Sequence, residues 1–61
     1  MTNEELLATA EVALIRASKA GKDCVDLQKA INTLQLSINI DCRRSIQFSR
    51  SVLETEIEEL K

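Results

Sequence analysis

Across 61 residues there is no proline and a single glycine, Gly21. A chain with one strong breaker can leave the helical backbone cheaply at one place, so the sequence is constrained to long helices joined near residue 21. Thr2-Asn3-Glu4-Glu5 has capping-box spacing, which starts a first helix at about residue 3. That helix is expected to run to Ala20, because Gly21 can close it in the left-handed conformation and Lys19 and Lys22 suit the negative end of its dipole. Residues 21–22 form the turn. Asp23 then caps a second helix, helped by Asp26 in its first turn.

Nothing after residue 23 is a strong breaker. Leu27, Ile31, Leu34 and Ile38, followed by Phe48 and Val52, keep a 4-3 spacing whose phase passes unbroken through Asp41 and Ser45. The unbroken phase predicts one long helix over residues 23–59. The alternative is a break near 39–41, where β-branched residues alternate with Asn39 and Asp41 caps a third helix. The fold class is all-α: a single helical domain over 1–61, built as a helical hairpin with a short first helix and a long second one that dimerises into a bundle, or alternatively a three-helix bundle.

Leu6, Ala10, Ala13, Ala17 and Ala20 make a narrow seam on the first helix, flanked by Leu7 and Leu14. It packs antiparallel on the Leu27 to Ile38 stripe. In the hairpin reading the second helix, ~55 Å long against ~27 Å for the first, overhangs its partner by half its length. Leu36 and Ile40, with Val25, project opposite the Leu27 stripe, and Ile46, Leu53, Ile57 and Leu60 form a further stripe a quarter turn away. Leaving such aliphatics in water forgoes ~1.5 to 3 kcal/mol each, so Leu36, Ile40, Ile46, Leu53, Ile57 and Leu60 are the candidate interface.

A small chain needs such help, because at this length folding buries only about 60% of the surface that the unfolded chain exposes. There is no histidine, and Cys24 and Cys42 lack the close pairing of a zinc site. On one helix these thiols lie ~27 Å apart, too far for a disulfide. They are expected to be free, which fits a reducing, cytoplasmic compartment. The acidic start has no signal-peptide character, and no apolar run spans a bilayer. No base stands ready to activate either thiol, so no catalytic residue, metal or cofactor is assigned.

Charge suggests the partner. Glu4, Glu5 and Glu11 lie at one end and Glu54, Glu56, Glu58 and Glu59 at the other, with Arg43, Arg44 and Arg50 among the bases between. An antiparallel pairing of two copies sets arginines beside glutamates, so the expected partner is a second copy in an antiparallel homodimer. The functional expectation is a non-enzymatic protein-interaction module, an adaptor, assembly chaperone or inhibitor, that also engages another protein. An alternative is an RNA- or DNA-binding dimer using Arg43, Arg44 and Arg50. Against it stand a net charge of −2 and a lone aromatic, Phe48, assigned here to the core. A small-ligand sequestering oligomer is the third reading.

Overall fold

The computed structural model describes residues 1–60 as three helices: α1 (Asn3–Lys19), α2 (Val25–Asn39) and α3 (Arg43–Glu59). Short connections make consecutive helices antiparallel, and all three pack on one another. The closest approach is between α2 and α3, while α1 lies across one side of that pair. Leu6 and Ala10 from α1, Leu27, Ala30, Ile31 and Leu34 from α2, and Leu53 from α3 form the buried core.

The start of α1 follows the expected chemistry. The Thr2 hydroxyl accepts from the Glu5 amide at 3.1 Å, with Glu4 and Glu5 in the first turn and Arg16 and Lys19 in the last. Gly21, at φ +75°, closes the helix: the Lys22 amide donates to the Ala17 carbonyl at 2.9 Å and the Gly21 amide to Ser18 at 3.1 Å. This is the Schellman pattern, in which one left-handed residue satisfies the carbonyls that a helix end leaves bare. Leu6, Ala10 and Ala17 are buried and Ala13 half-buried, as the alanine seam requires. Ala20 is the exception, exposed as the C-cap. Asp23 accepts from the Val25 amide at 3.0 Å, but it is not the cap expected of it: the N-cap of α2 is Cys24, which makes no side-chain cap bond, and Asp23 stands one residue before it.

The continuous helix expected over 23–59 is two helices. The Cys42 amide donates to the Ser37 carbonyl at 3.2 Å and the Asp41 amide to Ile38 at 3.1 Å, with Asp41 at φ +53°. The bonds match those at Gly21 position for position, with an aspartate in the left-handed place. Such a residue costs roughly 1–2 kcal/mol there, although aspartate tolerates it better than most. Folding back recovers more. Leu53 becomes fully buried, and Ile46, Val52, Ile57 and Leu60 pack half-buried against the core, at ~1.5–3 kcal/mol for each complete aliphatic burial. The overhang that left these residues uncovered is therefore absent.

The return also changes the phase that α3 uses. Ile46, Ser49, Leu53, Ile57 and Leu60 face inward, and Phe48, assigned to the core stripe from the sequence, is 70% exposed. Val52, its companion on that stripe, stays half-buried.

Candidate interaction surface on α2 and α3

Three serines fix how α2 and α3 meet. The Ser37 hydroxyl donates to the Thr33 carbonyl at 2.8 Å, and both the Ser45 and Ser49 hydroxyls lie within hydrogen-bond distance of its oxygen. One proton and two lone pairs on Ser37 accommodate all three contacts if Ser45 and Ser49 donate. Ser37 and Ser49 are buried, and among the described residues no buried side-chain polar atom lacks a partner. Small side chains at this seam let the two backbones come close.

The serine contacts set Ser37 level with a point between Ser45 and Ser49. Antiparallel counting from there puts Leu36 level with Phe48, Ile40 with Arg44, and Val25 with Glu59. At about 100° per residue, Lys29, Thr33, Leu36 and Ile40 share the side of α2 opposite its core face, whereas Val25 lines a hollow with Leu14 of α1. On α3 the same side carries Arg44, Phe48, Val52, Thr55 and Glu59. The two rows form one outer face that nothing in the chain covers. Val25, Leu36, Ile40 and Phe48 are each more than half exposed. A shallow hollow along this face is lined by Asp26, Lys29, Ala30, Thr33, Phe48, Ser49, Val52 and Glu56.

Its two ends differ in charge. Arg44 stands exposed at the end beside Ile40, while Arg43, also exposed, lies about 100° round α3 on a separate hollow with Ile46, Gln47 and Arg50; neither has an acid in ion-pair range among the described residues. Asp26, Glu56 and Glu59 gather at the other. The Glu56 carboxyl is pushed above its ordinary value, first by loss of surrounding water and then by repulsion from Glu59 and Asp26.

The six apolar residues proposed from the sequence thus divide. Leu36 and Ile40 are exposed on the outer face, whereas Leu53 is fully buried and Ile46, Ile57 and Leu60 pack against their own core. The three arginines divide as well. Arg50 is half-buried and reaches the start of α1, donating to Asn3 Oδ1 at 3.2 Å and to the Met1 carbonyl, with Glu54 4.0 Å away. It fastens α1 to α3, leaving Arg43 and Arg44 as the open pair. Phe48 is the member that the sequence reading missed, because its spacing continued the core phase.

Elsewhere the surface offers less. An open groove of about 540 Å³ between α1 and the end of α3 is lined by Val12, Ala13, Ile57 and Leu60 with Arg16 and Lys22, and it holds no converging buried polar groups. Cys24 and Cys42 are free and half-buried, the Cys24 thiol donating to the Lys22 carbonyl at 3.3 Å. Among the described residues there is no metal-binding cluster and no helix long and apolar enough to cross a membrane. The chain matches no protein family, no curated protein and no solved structure.

Proposed function

We propose that the chain is a non-enzymatic protein-interaction module, an adaptor, assembly chaperone or inhibitor, which docks other helices on the outer face of α2 and α3. The observation that carries this reading is the joint exposure of Leu36, Ile40 and Phe48, at 61%, 63% and 70%, on one face flanked by Arg44. Scattered exposed aliphatics are ordinary, but three large apolar side chains exposed at neighbouring levels of two packed helices, one of them aromatic and with an arginine beside them, have the composition of a docking site. Two antiparallel helices with a trough between them suit a third helix laid along it. Self-association and capture of another protein are two ways to fill the same trough. Two unbridged thiols agree with work in a reducing, cytoplasmic setting.

A second reading has one observation in its favour. With Phe48 exposed beside Arg44 and Lys29, the face contains a stacking ring next to bases, the combination that single-stranded nucleic acid uses. Asp26, Glu56 and Glu59 on the same face, and the overall charge of −2, oppose it. A benzophenone photo-crosslinker in place of Phe48, in cells that make the chain, separates these readings. Protease-sensitive, nuclease-resistant adducts are expected. Nuclease-sensitive adducts would transfer the function to nucleic acid, and no adduct would remove the docking face.

A further inference from the structure

We propose that the groove between α1 and the end of α3 binds a fatty-acid anion, with its alkyl chain along Val12, Ala13, Ile57 and Leu60 and its carboxylate between Arg16 and Lys22. The site lies on the far side of α3 from the outer face, and it stands whether or not that face docks a partner.

The first argument is an apolar wall that the fold leaves open. Ile57 and Leu60 pack half-buried against the core, and they line the groove together with Ala13, also half-buried, and Val12, which is 49% exposed. The volume of about 540 Å³ falls in the range of small-molecule sites, roughly 300–1,000 Å³. The groove follows α1 from Thr9 to Ala20, ~16 Å at 1.5 Å per residue, which is about the length of extended dodecanoate. A helix ~10 Å across displaces ~1,200 Å³ over the same length and would stand mostly outside it. A single chain fits where a helix does not.

The second argument is the sign of the charges on this wall. Acids outnumber bases ten to eight in the chain, yet the only charged residues lining the groove are Arg16 and Lys22. The close at Gly21 turns Lys22 back onto the last turn of α1, its amide on the Ala17 carbonyl at 2.9 Å, so both bases flank the same end. Neither has an acid in ion-pair range among the described residues. The dipole of α1 favours bases at this end, but it does not call for an open apolar channel leading up to them. A ligand matched to both features has one anionic head and one apolar tail. The lack of converging buried polar groups agrees with this, because such a ligand carries its only polar atoms at the rim. Exposed ion pairs are weak, so the two bases orient the ligand while burial of its chain supplies most of the affinity.

Dodecanoate, kept below its micelle-forming concentration and titrated into the isotopically labelled chain, tests this by amide and methyl shifts in NMR. Saturation at one ligand per chain is expected with a Kd of about 1 mM or tighter, the scale set by so few atoms. The shifts should centre on Val12, Ala13, Arg16, Ile57 and Leu60. Dodecyltrimethylammonium, the same chain length with a cationic head, should bind about tenfold more weakly. Arg16→Glu should weaken dodecanoate by about tenfold and strengthen the cationic probe, while circular dichroism keeps its helical signal. Lys22→Glu, which lies outside every helix, should shift the preference the same way and gives the reading if Arg16→Glu disturbs α1. No saturation, an affinity indifferent to the sign of the head, or shifts centred on Leu36, Ile40 and Phe48 would each overturn the proposal.

Discussion

α1 and α3 are both 17 residues long, and they are built on opposite principles. α1 satisfies every local rule: a threonine cap, acids in its first turn, bases in its last and a Schellman close at glycine. α3 has no side-chain cap, arginines where acids belong and glutamates where bases belong. Its place in the fold comes from packing, through Leu53, Ile46, Ile57 and the serine seam. A helix held by tertiary contacts is free to carry charges for another purpose, and that freedom separates the face we assign to docking from the helix that only supports it.

The contrast can be broken most severely at the packing that holds α3. Leu53→Ala empties a fully buried site and should cost about 2–5 kcal/mol in chemical denaturation, enough to release α3 in a chain this small. Removing the cap of α1 has a smaller effect. Thr2→Ala should cost about 1 kcal/mol and show as faster amide exchange at the start of that helix. Asp41→Gly, which relieves the left-handed aspartate but loosens the unfolded chain, should stabilise by about 0.5 to 1 kcal/mol in the same assay. Arg43→Glu, measured on the monomer at low concentration, should raise stability by about 0.3–1 kcal/mol by restoring the sign that the dipole favours. If it destabilises the monomer, the two helices do not differ as argued.

The smallest effect depends on pH. In the fold the Glu56 carboxyl holds its proton more tightly than in the unfolded chain, so its ionised form costs stability above the folded value. Glu56→Gln should therefore melt above the unmodified chain at neutral pH. That advantage should shrink as pH falls through the folded value and vanish below the ordinary value of 4.5. A constant difference across the range would place the strain elsewhere.

What the sequence made legible follows the same divide. The cap at Thr2, the close at Gly21 and the alanine seam are local signals, and all but Ala20 lie where the residues indicate. The break at Asp41 is the weaker of the two readings of the sequence, because aspartate there does the work of glycine without its signature, while the Leu27 to Val52 phase runs straight across it. The second stripe, Ile46, Leu53, Ile57 and Leu60, was visible as a stripe. Assigning it to another chain followed from the unbroken helix, and once α3 turns back the same residues complete the core at home. Phe48 changed sides for the same reason. Leu36 and Ile40 were legible as uncovered because they oppose the core face of α2 in either architecture. The serine seam left no mark in an apolar pattern, since its signal is small size and hydrogen-bonding capacity together.

Everything assigned to the outer face depends on α3 folding back beside α2. Spin labels at Gln28 and Thr55, both exposed, with Cys24 and Cys42 replaced by serine and the labelled chain diluted in unlabelled chain, read that directly. The account predicts a separation of about one helix-pair width, under ~20 Å. A separation near 40 Å, the span of 27 residues along one unbroken helix, would contradict it.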